Sequence, residues 1–292
     1  MPIIPALRLV ALLASCLLLL TSEGLAASPL VEVKDLRQPV MAGSPITYAD
    51  LLKLAFPASS DEAVERQSAP VRQIDDYFEP HPLAGDLEFG SVSALTIKAQ
   101  NQPLLLLRFL VTGKFESESE PGYYDVLGLF QASGPPKLLD LLDIKGWPNQ
   151  FSGFWTANPV INLTPATQAC MIFQEHFNSS QSYMQIRLLW VRNQRLEEIL
   201  GVLPFGIKSL CETFTTRAVF WTELDEGREY PKVVARLTLK REPSPKYEDC
   251  QPGHRGFSRS YLGVWQWEPA RQKYQRVGGD LDQLYKFYEE YY

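Results

Sequence analysis

The residues best suited to do chemistry in this chain lie in the stretch Glu175-His176-Phe177-Asn178-Ser179-Ser180-Gln181-Ser182-Tyr183. A histidine beside a carboxylate and close to serines is the raw material of nucleophilic catalysis, with the imidazole as base and a hydroxyl as nucleophile. The spacing argues against that use. Adjacent residues of a strand point to opposite faces, so Glu175 is poorly placed to orient His176, and no Gly-x-Ser-x-Gly elbow presents a serine. A polar loop between two apolar strands suits the composition better. Its Asn and Ser side chains can bond to their own backbone, and a loop held by a rigid β-scaffold is a place for ligand contact. Glu175, His176, Asn178, Ser179, Gln181 and Tyr183 are therefore the first candidate binding residues, and no catalytic residue is assigned.

Six tryptophans, Trp147, Trp155, Trp190, Trp221, Trp265 and Trp267, raise sugar stacking as a second possibility. Trp190 and Trp221 sit inside apolar strands and are assigned to the core. Trp147 and Trp155, in a Gly- and Asn-containing connection, are the second candidate binding residues. Trp265 and Trp267 alternate with Gln266 and share one strand face. Carboxylates such as Asp75, Asp76, Asp86 and Glu88 form no Asp-x-Asp-x-Asp-Gly calcium loop, and a solvated acidic face accounts for them. His81, His176 and His254 are far apart and no Cys-x-x-Cys occurs, so neither a zinc site nor any cofactor is expected. Asn162-Leu-Thr and Asn178-Ser-Ser are sequons, relevant only in a eukaryotic source.

The amino terminus sets the compartment. Arg8, an apolar run from Leu9 to Leu20, and small residues at Ala26 and Ala27 have the form of a secretory signal peptide, with residues 1–27 removed. The run is well short of the roughly 20 residues that a permanent anchor needs, and no later segment is long enough, so the mature chain is expected without a transmembrane segment. A rival reading places a lipid on Cys16 after Leu13-Ala-Ser. It is the weaker reading, because four leucines follow Cys16 where a lipidated chain turns polar. The full chain has 28 basic and 34 acidic residues, a net charge of -6. Loss of Arg8 and Glu23 leaves that difference unchanged. An acidic chain without a basic tract lacks the electrostatic footprint of a nucleic-acid binder. Three cysteines then remain, and in an oxidising compartment Cys211 and Cys250, each in a polar connection, are expected to pair, leaving Cys170 as a buried thiol.

The elements that must position these residues are strands. Leu104 to Val111 is a continuous apolar run, the mark of a strand covered on both faces. In the hairpin from Cys170 to Leu200, Met184, Ile186, Leu188 and Trp190 alternate with Tyr183, Gln185 and Arg187. Further hairpins are read at Asp125–Ile144 and at Tyr261–Val277, with a short strand at Ala218–Trp221 and an alternating one at Lys232–Lys240. Phe130, Trp190 and Trp267 recur in similar settings about 60 and about 77 residues apart, longer than a propeller blade and too few to close a ring. The expected fold is mainly β: an antiparallel meander of hairpin units, either propeller-like or a β-sandwich or incomplete barrel. A short N-terminal helix is capped by Thr47 with Asp50 three residues on and stopped by Pro57, and a C-terminal helix is capped by Asp280, with Leu281, Leu284, Tyr285 and Tyr288 on one face. Residues 28–85 are expected as an extended lead-in, helix and polar loop, and 86–292 as a single β-rich domain.

These features point to an exported, periplasmic or extracellular binding or assembly module of the cell envelope, non-enzymatic, with an envelope protein or glycan as partner. The alternatives are an envelope-polymer hydrolase using His176 with carboxylates, and a carbohydrate-binding protein using exposed tryptophans.

Overall fold

The computed structural model describes residues 30–57, 68–74, 80–114, 122–145, 150–177, 181–208, 212–243 and 256–290. The expected leader with Cys16, and Trp147, Asn178, Ser179, Cys211 and Cys250, lie outside the described residues, and the expected disulfide lies there with them.

The apolar run Leu104–Val111 forms the heart of the first sheet, strand β4 (Gln102–Lys114), with β1 (Val31–Glu32), β2 (Arg72–Gln73), β3 (Ala84–Ala99), β5 (Gly122–Gln131) and β6 (Lys137–Asp143) around it. The order is β1-β3-β4-β5-β6-β2, antiparallel except where the short β2 runs parallel to β6. Leu105, Leu107, Phe109 and Val111 pack on one side of β4, and Leu104 and Leu106 on the other. Both faces of the strand are therefore covered, as its composition requires.

The second sheet is built from β7 (Gln150–Phe154), β8 (Val160–Asn162), β9 (Gln168–Phe177), β10 (Gln181–Arg192), β11 (Arg195–Val202), β12 (Phe205–Lys208), β13 (Glu212–Glu223), β14 (Lys232–Pro243), β15 (Phe257–Glu268) and β16 (Lys273–Gly279). Its order is β16-β15-β14-β13-β12-β10-β9-β7, with β11 also on β10 and β8 on β9. The sheet turns a corner at β12, which pairs with β10 on one edge and β13 on the other. Its two halves then face each other across one core: Met171, Ile186, Leu188 and Trp190 come from β9 and β10, and Val233, Leu237, Tyr261, Trp265 and Trp267 from β14 and β15. At the far side β11 approaches β16 without a hydrogen-bonded ladder, so the curl is not a closed barrel.

Three β-layers result: the first sheet, then β7–β11, then β12–β16. Leu95, Ile97, Leu104, Leu106, Leu127 and Leu129 of the first layer meet Cys170, Ile172, Leu189 and Val191 of the second. The expected hairpins stand, but they stack as layers and do not radiate as blades. The lead-in is woven into this architecture, since β1 and β2 form the two edges of the first sheet.

Helix α1 (Tyr48–Ala55) begins with the expected capping box: the Asp50 N–H donates to Thr47 Oγ1 at 3.2 Å, and the Thr47 N–H donates to Asp50 Oδ2 at 2.9 Å. Its buried Tyr48, Leu51 and Ala55 cover the outer face of the first sheet. Helix α2 (Leu281–Glu290) buries Leu281, Leu284 and Tyr288 in the core between the second and third layers. The Asp280 cap takes a different form from the expected one. Its carboxylate accepts from the Leu262 backbone N–H at 2.6 Å, tying the helix start to β15. Gly263 makes that docking possible, because a Cβ there would run into the side chains of Trp265 and Leu281.

Candidate functional site

The densest polar groups are buried between the first two layers. On β4, Arg108 lies on the same side as Leu104 and Leu106, and on β5 Asp125 lies on the same side as Leu127 and Leu129, so both enter the junction. The Arg108 guanidinium grips the Asp125 carboxylate with two donors, each at 2.7 Å. It donates once more to the carbonyl of Ser152 on β7, at 2.7 Å, while the Ser152 hydroxyl donates to Asp125 at 2.8 Å. Gly153 keeps β7 close, since a Cβ there would stand 3.2 Å from the Arg108 guanidinium carbon. A second link repeats the design. Arg72 grips Asp140 at 3.0 and 2.6 Å and donates to the Leu196 carbonyl of β11, whose N–H donates back to Asp140. Gln174 on β9 adds a bond to the Ile144 carbonyl at 2.8 Å.

Burial pushes the Asp125 carboxyl upward in pKa, against the pull of Arg108 and Ser152. Asp143, in the paired strand β6, is pushed up to about 7, chiefly by burial, although the backbone N–H of Lys145 donates to it at 3.0 Å, and the Asp125 charge adds to the rise. The Cys170 thiol, also raised by burial to about 12, is inert as a nucleophile, as a buried thiol should be.

In and beside this junction lie a hydroxyl, three carboxylates and two guanidiniums, the raw material of nucleophilic or acid–base chemistry. A serine nucleophile requires a base that can take its proton, and Asp125 is already held by two guanidinium donors. His176 is on the same face of β9 as Gln174, half-buried, and neither Ser152 nor Asp125 bonds to it. The geometry serves to pin the layers in register: each arginine spends its third bond on a carbonyl of the neighbouring layer.

The expected recognition loop is shorter than the sequence suggested. Glu175 and His176 belong to β9, and Gln181 and Tyr183 to β10, with His176 opposite Tyr183 and Glu175 opposite Met184. Only 178–180 separates the strands. Polar residues at the end of an alternating strand can extend a ladder as readily as a loop, because the ladder satisfies the backbone whatever the side chains. Glu175 and His176 do point to opposite faces, as strand geometry demands. Trp155 is half-buried against the core and meets Phe173 edge to face at 6.3 Å, so it is less of a surface residue than expected.

The position of Trp221 corrects the sequence reading outright. Phe214, Thr216, Ala218 and Phe220 set the inward phase of β13, so Trp221 falls on the outer face with Thr215, Arg217 and Val219. Its Nε1 donates to Glu223 at 2.9 Å, and the Arg236 guanidinium lies 5.4 Å from its ring centroid. The strand register builds the surrounding rows. Arg217 aligns with Thr238 and Ser260, whose hydroxyls share a 2.9 Å bond; Val219 aligns with Arg236 and Leu262; Trp221 aligns with Val234 and Val264. Val219 is 61% and Leu262 40% exposed.

Every other broad sheet face among the described residues is covered by a helix or another layer. No helix or layer of the described residues covers the outer face of β13–β15, although Val234 (3% exposed) is shielded there by its neighbours, and the face carries apolar, aromatic and cationic groups together. Sequence reasoning missed it because four apolar letters, Ala218-Val-Phe-Trp221, read as a fully buried strand. The usable signal was upstream, where Thr213, Thr215 and Arg217 already mark the odd positions as wet. No protein-family model, curated protein or solved structure matches this chain.

Proposed function

We propose that this protein is an exported, non-enzymatic binding or assembly module of the cell envelope, and that it recognises its partner through the outer face of β13–β15. The observation that carries the reading is the uncovered face itself, with Val219 and Leu262 exposed around the Trp221–Arg236 pair. Exposed apolar side chains cost free energy in water, and contiguous ones on an otherwise covered β-scaffold mark a contact surface. The arrangement of the buried polar cluster supports the non-enzymatic half, because its hydroxyl and carboxylates are occupied in joining two layers. Export rests on the leader-like residues 1–27.

The test is site-directed photo-crosslinking in cells, with a photoreactive residue placed at position 219 and, as controls, at positions 123 and 151, which are exposed elsewhere. The reading expects capture of envelope material from position 219 alone. Capture from 151 or 123 and not from 219 would move recognition to another surface. Recovery of the uncleaved chain from cytosol would overturn export, and turnover of an envelope polymer that is lost in His176→Ala would overturn the non-enzymatic half.

A further inference from the structure

The open face has a charge that the chain as a whole does not. The protein carries a net charge of -6, yet Arg217 and Arg236, which make no ion pair among the described residues, both stand on this face, two rows of one small platform. Lys240 pairs with Glu242 and Lys232 with Asp225 at 3.5 Å, while Glu223, bonded to the neutral Trp221 indole N–H, keeps its negative charge at the end of the face. Two guanidinium forks without a carboxylate partner select for an anion, and the planar fork matches a carboxylate with two parallel bonds.

The neighbours of the arginines narrow the anion further. Thr238 and Ser260 place hydroxyls in the row of Arg217, while Val219, Leu262 and Trp221 supply apolar and aromatic surface beside Arg236. A ligand that satisfies this set has carboxylates, many hydroxyls and apolar C–H faces in one flat, extended molecule. Strand addition would use a different feature of the sheet: β14 is paired on both edges and β15 is flanked by β14 and β16, and the edge of β13 beyond its two-residue pairing with β12 lies in the plane of the sheet, not on the face where Arg217, Arg236 and Trp221 stand. Docking on an anionic bilayer does not suit that face. Two unpaired arginines fall short of the four to eight clustered basic residues that mark such a surface, and the apolar groups are short side chains on a flat face.

We propose that the outer face of β13–β15 binds an acidic polysaccharide of the uronic-acid class, with Arg217 and Arg236 on successive carboxylates and Trp221 holding the Arg236 guanidinium that lies over its ring. This rests on the reading of that face as the recognition surface. It deepens that reading by assigning the partner's chemistry.

The experiment uses the full chain and polygalacturonate, in affinity electrophoresis and calorimetry at low and moderate salt, with dextran as neutral polymer and phosphatidylglycerol vesicles as the membrane arm. Wild type should be retarded by polygalacturonate and not by dextran, with the affinity falling as salt rises. The Arg217→Ala/Arg236→Ala variant should lose at least tenfold in affinity, and Trp221→Ala several-fold. Arg236→Lys, which keeps the charge and loses the fork, should also weaken binding, while Arg195→Ala, exposed on β11, should leave it unchanged. All the substituted residues are solvent-facing, and thermal unfolding of each variant checks that it is folded. Absence of wild-type binding, equal loss in Arg195→Ala, tight binding to vesicles in place of the polymer, or a dimer that Val219→Asp dissolves would each overturn the proposal. If position 219 still cross-links to envelope material in cells while polygalacturonate is ignored, the acidic-glycan assignment fails and the recognition surface stands.

Discussion

Replacing Asp143 by Asn should change how stability depends on pH more than it changes stability at any single acidic pH. Burial holds the folded-state pKa of Asp143 at about 7, against an ordinary 3.8. Below pH 4 the carboxyl is protonated in both the folded and unfolded chains and favours neither. Between pH 4 and 7 the unfolded chain gives up the proton and the folded chain keeps it, so stability falls as pH rises. Above pH 7 both states are ionised, and the fold carries the full cost of a buried charge beside Asp125. A gap of roughly 3 pH units, at about 1.4 kcal/mol each, amounts to about 4 kcal/mol. Asn keeps one oxygen for the Lys145 N–H and cannot ionise. The variant should therefore match wild type within about 1 kcal/mol near pH 4 and exceed it by up to about 4 kcal/mol at pH 8. Urea unfolding followed by tryptophan fluorescence from pH 4.5 to 8.5 measures the difference directly. A difference that stays flat over that range, or a variant less stable than wild type at pH 8, would refute the assignment of a neutral Asp143.

The other expected outcomes concern the layers and the two kinds of tryptophan. Trp190→Ala, at a position 3% exposed and packed against Tyr230 and Trp267 at 5.2 and 4.8 Å, should cost about 3–5 kcal/mol. Trp221→Ala, on the open face, should cost less than about 1.5 kcal/mol in the same denaturant assay. Arg108→Ala should cost about 3–5 kcal/mol by leaving Asp125 buried without its counter-charge, whereas Arg108→Met combined with Asp125→Leu should recover most of that loss in a double-mutant cycle. Gly263→Val should detach α2, because the added side chain occupies the space of Trp265 and Leu281; weakened hydrogen-exchange protection confined to 281–290 and its β15 contacts would be the signature.

The parts of this fold that were legible in the sequence are those fixed by short-range periodicity. Leu104–Val111, the alternation at Met184–Trp190, the Thr47–Asp50 capping box and the helical face of Leu281, Leu284 and Tyr288 all express a local rule that the tertiary structure left intact. What was not legible depends on which layer a strand joins. The polar residues Glu175, His176, Gln181 and Tyr183 read as a loop because no local signal tells a wet strand end from a turn, and their pairing is settled by the neighbouring ladder. Trp221 reads as core from its apolar neighbours, whereas β13 belongs to a layer with a core on one face alone. Arg108, Asp125, Arg72 and Asp140 carried no motif at all. Residues 17 and 68 positions apart in sequence become partners only when two strands enter the same junction.

The buried pairs and the open face are two consequences of one architecture. Apolar layers stacked face to face gain nearly the same free energy over several relative offsets, since burial is non-directional and proportional to area. A charge pair that must also reach a particular carbonyl of the next layer tolerates only one offset. Arg108 to the Ser152 carbonyl and Arg72 to the Leu196 carbonyl are such reaches, placed on different strands, so together they fix both the slide and the rotation of the second layer on the first. The third layer is continuous with the second through β12, and α2 closes onto their shared core. The side chains of β13–β15 that face solvent are thus held on a scaffold whose layers are registered from within. That is the condition under which a flat set of forks, hydroxyls and one indole can present a fixed spacing to an extended ligand without ordering a loop on binding.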